Sequence, residues 1–330
     1  MAQRLGELQA WVAGALRIPA VMLEAASADA SFRRYFRTYA GGRPYIVMDA
    51  PPPREDCRPF VRIAGLLQAA GVHAPEILAQ DLQRGFLLLS DLGRRTYLDV
   101  LNQDNADALF ADAIAALIRW QQASRADALP PYDRALLQRE LRLFPDWYVA
   151  RHLHIALTQA ERETLESSFT LLENSALEQP RVYVHRDYMP RNLMLSTPNP
   201  GVLDFQDAVY GPITYDVASL FRDAFISWEE RQISAWHRQY WQQAGQAGLP
   251  VPEFSAFERA CDWMGMQRHL KVLGIFARIY YRDGKPDYLK DTPRFLRYVR
   301  ETGRLYREFM PLLKLLDALE SRVSQTVTVI

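Results

Sequence analysis

The hydrophobic pattern of this chain changes period at Asp91-Leu92-Gly93, and that change restricts the fold more than any other feature of its 330 residues. Before it, short segments alternate as strands do. Residues 34–39 read as one strand, Gly41-Gly42 as a turn and residues 45–48 as the returning strand, a hairpin closed off by Pro51-Pro52-Pro53. Two further short strands are expected around Ile77-Leu78 and over residues 86–89. A first helix carries Leu5, Leu8, Trp11, Val12 and Leu16 at helical spacing, and a second, over residues 59–70, carries Phe60, Ile63, Ala64 and Leu67 on one side with Gly71 at its stop. Beyond Gly93 the period is helical over residues 97–101, 106–124, 134–144 and 161–177. Strand-like stretches return only at 181–184 and 194–205, before helices resume to about Ser321. A small strand-rich part, residues 1–90, joined to a larger and mainly helical part, residues 91–330, is an α+β plan.

Composition narrows what such a chain binds. Hydrophobic residues make up 49% of it, enough for a sizeable core and too many for a disordered chain. Lys plus Arg (39) equals Asp plus Glu (39), which offers nothing to nucleic acid or an anionic membrane. No protein partner is evident. Cys57 and Cys261 are far apart and outside any CxxC spacing, so neither a disulfide framework nor a zinc site is expected and a reducing cytoplasm suits the chain. No stretch approaches the ~18 consecutive apolar residues of a membrane span. The N-terminal residues have helical spacing broken by Glu7 and Gln9 rather than the continuous apolar run of a signal peptide.

The richest chemistry lies between residues 182 and 207. An apolar strand, Val182-Tyr183-Val184, runs into a polar loop holding Asp187 and Asn192, then into Leu193-Met194-Leu195; Gly201-Val202-Leu203-Asp204-Phe205-Gln206-Asp207 follows. Folded as a hairpin, the segment places Asp187, Asn192 and Asp204 at strand ends on one edge. The trio suits phosphoryl transfer, in which catalysis is mostly positioning and charge neutralisation. One carboxylate, Asp187, orients a hydroxyl and accepts its proton, while an amide and a second carboxylate, Asn192 and Asp204, are hard oxygen ligands for Mg²⁺. Any one of these residues alone would be an ordinary turn residue; the two motifs in order, each behind an apolar strand, are not.

These residues carry a resemblance. HRDYMPRN (185–192) resembles the catalytic loop of the kinase-like fold, and LDFQD (203–207) resembles the metal-binding segment of aminoglycoside phosphotransferases and choline kinases. Tyr215-Asp216-Val217-Ala218 is similar to a helix start of that superfamily. The resemblance implies a bilobal protein-kinase-like α+β fold, ATP as co-substrate with Mg²⁺, a small-molecule acceptor, and structural roles for His185 and for Asp216, the latter as a helix cap that braces the catalytic loop. Residues 31–37 (SFRRYFR), 143–148 (LFPDWY) and 266–276 (MQRHLKVLGIF) are similar to the bacterial anomeric kinases of cell-wall amino sugars. That similarity implies ATP-dependent phosphorylation of N-acetylmuramate and N-acetylglucosamine at C1 in peptidoglycan recycling. A kinase of choline, homoserine or an aminoglycoside on the same fold stays open, as does a catalytically silent nucleotide-binding protein, which would have no need of the Asp187, Asn192 and Asp204 set.

The sequence departs from the kinase pattern on the nucleotide side. There is no GxGxxG, so Ala28-Asp29-Ala30-Ser31 is left to supply backbone contacts to phosphate. The strand-lysine position is Met48, and the helix over 59–70 carries no glutamate, the nearest being Glu55. Arg33, Arg34 or Arg43 could reach the phosphates in its place, the alternative for each being a solvated strand arginine. Residues 88–93 fall where the two parts join; either adenine sits against backbone atoms near Leu89 and Asp91, or this is a plain strand end with a turn. On the substrate side, residues 258–308 carry twelve Lys/Arg against seven Asp/Glu. Arg268 and Lys271, three apart on a helix apolar nearly all round, either pair with carboxylates such as Asp216 or Asp223 or face a ligand anion. Trp147 either stacks on a sugar face or packs in the core.

Overall fold

The computed structural model describes residues 2–28 and 32–328. Its first elements are α1 (Ala2–Leu16), β1 (Glu24–Ala28), β2 (Arg34–Ala40), β3 (Arg43–Asp49), α2 (Arg58–Ala69), β4 (Ile77–Asp81) and β5 (Phe86–Ser90). The strands form one antiparallel sheet in the order β1-β2-β3-β5-β4. Ala40 pairs with Arg43 across a two-residue loop in which Gly41 and Gly42 have φ of 56° and 77°. That double left-handed turn matches the twist of the flanking strands and needs positive φ at both positions, which glycine adopts without strain. Strand β1 goes beyond the expected hairpin: its sequence, EAASA, has no β-branched or aromatic residue to mark it. One face of the sheet is covered by α1, whose Leu8 and Val12 are buried with Val47, Phe86 and Leu88. At the end of β3 the fully buried Asp49 is held by Arg4 (Nη2 at 2.6 Å) and by Arg34 (Nε at 3.0 Å).

The chain continues through α3 (Tyr97–Val100), α4 (Ala106–Gln122), α5 (Arg134–Leu141), a wide π-type helix (Phe144–His152), α6 (Gln159–Glu178) and β6 (Arg181–Val184). After a short 3₁₀ turn (Pro190–Asn192) come β7 (Leu193–Met194), β8 (Gly201–Val202), β9 (Val209–Pro212), α7 (Tyr215–Phe221), α8 (Glu230–Gln246) and α9 (Phe254–Asp283). Finally α10 (Thr292–Leu305) and α11 (Met310–Thr328) close the chain. Among the described residues no helix is long and apolar enough to cross a membrane, and both cysteines are buried thiols.

Two compact units result. One is Met1–Ala123 with Pro190–Ala208, and the other is Ser124–Met189 with Val209–Ile330. The first therefore keeps α3, α4 and the β7–β8 ladder together with the sheet. In the second, α9 runs through the core: Met266, Leu270 and Leu273 are buried among Phe144 of the π-type helix, Phe169 of α6, Phe295 of α10 and Leu312 of α11.

Three local expectations change. The hairpin of the 182–207 segment is confined to β7 and β8, because β6 pairs with β9, from Arg181↔Pro212 to Val184↔Val209. The 194–205 stretch holds only these two-residue strands, since Pro198 and Pro200 have no N–H for a ladder. The helix expected over 134–144 ends at Leu141; Pro145 is tolerated only in a first turn, and the helical path restarts with it.

The packing of α9 has a measurable consequence. A Cβ on Gly274 would lie 2.2 Å from the Leu143 carbonyl carbon, a backbone atom that cannot swing away. Gly274→Ala gains about 1 kcal/mol of helix propensity but overpacks by about 3 kcal/mol or more. We expect a net fall in the thermal unfolding midpoint of roughly 3 °C; an unchanged midpoint would show that α9 and this backbone do not pack as described.

Candidate active site

The HRDYMPRN loop begins at the end of β6, where Tyr183 N donates to Ser124 Oγ at 2.7 Å. The backbone then turns at Arg186, whose φ of 77° is costly for a residue with a long side chain. Asp216 over-determines that turn. The cap position of α7 is Thr214, so Asp216 is not the cap; fully buried in the first turn, its carboxylate instead accepts from His185 N (2.7 Å) and Arg186 N (3.0 Å). Burial pushes the Asp216 carboxyl up to about 7, against the two N–H donors and Arg268, which pull the other way. His185, itself buried, accepts from Asp187 N through Nδ1 at 3.3 Å. The loop backbone is thus fixed from both sides, while the Asp187 side chain remains 40% exposed.

Behind the loop lies a buried ionic network. Glu140 of α5 accepts from Lys271 Nζ at 2.9 Å, from Arg186 Nη2 and from Tyr132 Oη. Lys271 also donates to Tyr215 Oη at 2.9 Å, and Gln267 Nε2 reaches Glu140 at 3.3 Å. Burial works to raise the Glu140 carboxyl, but Lys271, Arg186 and the hydrogen bonds outweigh it and hold it down at about 2. Lys271 therefore pairs with a carboxylate that is neither Asp216 nor Asp223. Arg268 is buried with its Nη2 3.9 Å from Asp187 and its guanidinium 5.3 Å from the Tyr215 ring. Glu140 is absent from the expected site, although a signal exists: it shares the buried stripe of α5 with Leu137 and Leu141, and a charge on such a stripe needs a partner. Trp147 is half-buried in the π-type helix and packs against the core of its unit.

In the sheet-bearing unit, Asn192 and Asp204 are joined through their strands. Leu203 N donates to Asn192 O at 2.9 Å, and β7 pairs with β8 between them. Asp204 has a φ of 60°, which aspartate tolerates better than most residues, and its Oδ1 accepts from Gln206 Nε2 at 2.8 Å. Phe205 is fully buried against Phe60 of α2, ring centroids 4.6 Å apart, which anchors the segment. An amide oxygen and a carboxylate are hard donors of the kind that Mg²⁺ accepts alongside phosphate and water, so these two residues could hold that metal.

On the nucleotide side, Leu89 is buried in register with Ile46 and Ile77. Asp91 accepts from Arg37 Nη2 (3.0 Å) and Gly93 N (2.8 Å). Arg34 is spent on Asp49, and Arg33 lies by Glu55, Nε to Oε2 3.8 Å. Asp29, Ala30 and Ser31, expected near phosphate, lie outside the described residues.

Comparison with known proteins shows the family. Residues 23–254 match the model of the phosphotransferase enzyme family. An N-acetylmuramate/N-acetylglucosamine kinase from Pseudomonas aeruginosa is 61% identical over 306 residues, covering 92% of this chain and 90% of that one. A kinase of the same name from Pseudomonas putida is 59% identical over 305 residues with the same coverage. The solved gentamicin–APH(2'')-IIa complex shares the fold, with a TM-score of 0.60 at 16% identity, covering 87% of this chain and 94% of that one. The chain belongs to the phosphotransferase enzyme family. It has the kinase-like α+β fold, and it is a phosphotransferase with an alcohol group as acceptor.

Proposed function

We propose that this enzyme transfers the γ-phosphoryl of ATP to the anomeric hydroxyl of N-acetylmuramate and N-acetylglucosamine, giving sugar 1-phosphates in the cytoplasm during peptidoglycan recycling. The observation that carries the reading is identity of about six residues in ten, along 92% of the chain, to kinases named for these two sugars.

The residues support it chemically. Asp187 offers an exposed carboxylate on a braced loop, suited to orient an acceptor hydroxyl and take its proton. Of a free sugar's hydroxyls the anomeric one is the most acidic, so a carboxylate base has least to do there. Asn192 and Asp204 would hold Mg²⁺, which neutralises charge on the phosphates when bound. Arg268, beside Asp187, is the cation we assign to the carboxylate that N-acetylmuramate carries and N-acetylglucosamine lacks; Lys271 is already engaged by Glu140. Cationic aminoglycosides would want acidic walls instead.

The test is a substrate panel with radiolabelled ATP and Mg²⁺: N-acetylmuramate, N-acetylglucosamine, choline and kanamycin. We expect label in the two sugars alone. Turnover of choline or kanamycin with none of either sugar contradicts the proposal and leaves a kinase of another hydroxyl.

A further inference from the structure

The chain has four lysines, Lys271, Lys285, Lys290 and Lys314, so the sheet-bearing unit has none at all. In kinase-like sites a lysine of the third strand, paired with a helix glutamate, holds the nucleotide phosphates. Here Met48 of β3 is fully buried, in register with Tyr35 and Leu87, and Asp49 beside it is closed by Arg4 and Arg34. Other arginines of the unit are committed as well: Arg37 to Asp91 and Gly93 O, Arg58 to Asp56, and Arg84 to Asp81.

Arg33 stands apart. Its side chain is only 11% exposed, and its Nε lies 3.8 Å from Glu55 Oε2. Glu55 accepts the Phe32 N–H through its other oxygen at 3.0 Å, so it holds the segment carrying Arg33 by backbone and side chain together. Glu55 lies just ahead of α2, which itself carries no glutamate. The charges of Asp204 and Asp207 also act on the Arg33 guanidinium. Phe205 of that segment packs on Phe60 of α2, the helix that Glu55 precedes, and the planar fork of arginine suits phosphate oxygens.

We propose that Arg33, held by Glu55, is the cation that binds the nucleotide phosphates next to the Asp204 segment, in the role that a strand lysine fills in other kinase-like sites. The inference rests on the kinase reading above, and calorimetry on the whole chain separates the two. ADP with Mg²⁺ and adenosine are titrated into the parent and into Arg33→Ala, Arg33→Gln and Glu55→Gln, with circular dichroism to show that each variant is folded. The parent is expected to bind ADP more tightly than adenosine; if it binds neither, the kinase reading falls and this inference with it. Given parent binding, Arg33→Ala should weaken ADP by about 10- to 100-fold, the loss of a charge-assisted contact, with adenosine affinity unchanged. Glu55→Gln should shift ADP in the same direction by less. Should Arg33→Ala not fold, Arg33→Gln, neutral and of similar reach, decides. ADP affinity equal to the parent in a folded Arg33 variant, or equal losses of ADP and adenosine, would overturn the proposal.

Discussion

Asp187→Asn is expected to lower turnover by about 10²-fold or more, the range that general-base catalysis supplies, while the protein stays folded. The substitution keeps the shape of the side chain and removes its charge. The loop around it is set by other groups, since Asp216 holds the N–H groups of His185 and Arg186 and His185 takes that of Asp187. Arg268 loses a carboxylate 3.9 Å away but keeps the Tyr215 ring and the charge of Asp216, so only a modest fall in stability accompanies the loss of activity. An ADP-release assay under saturating ATP and sugar gives the answer. Near-parental turnover in folded Asp187→Asn would remove Asp187 from the role of base.

The largest stability effect is expected at a residue that touches no substrate in this account. Glu140→Gln preserves volume but leaves Lys271 and Arg186 in the interior without their shared carboxylate, at a cost of about 3–5 kcal/mol. The effect has a defined pH dependence. The Glu140 carboxyl is held down at about 2 from its ordinary 4.5, so the unfolded chain takes up the proton first. Its contribution is complete above pH 4.5 and is lost as pH falls through about 2. Denaturant unfolding should therefore separate parent and Glu140→Gln most at neutral pH, with the gap closing below 4.5. Equal stability at pH 7 would show that the network contributes nothing net.

What was legible in the sequence was local. The β2–β3 hairpin follows from alternation and a glycine pair, and the β7–β8 ladder between Asn192 and Asp204 from apolar residues beside a polar loop. What was not legible depends on distant partners. The pairing of β6 with β9 joins residues about thirty apart in sequence, and Val209-Tyr210-Gly211-Pro212 carries a glycine and a proline that hide a strand. Glu140 meets Lys271 only once α5 and α9 have packed. Arg33 and Arg34 are equivalent candidates in sequence; the alternation of side chains sends Arg34 to Asp49 and Arg33 to Glu55. The departure from the lysine pattern was visible at Met48, whereas the residue we propose in its place needed the fold to single out.

The central claim, phosphorylation of an amino sugar at its anomeric hydroxyl, is tested most directly by phosphorus NMR of the product made from N-acetylmuramate, ATP and Mg²⁺, with a reducing-sugar assay on the same sample. The account predicts a sugar 1-phosphate, its phosphorus coupled to the anomeric proton and its reducing end gone. A 6-phosphate that keeps its reducing end, or an unchanged sugar, would contradict it.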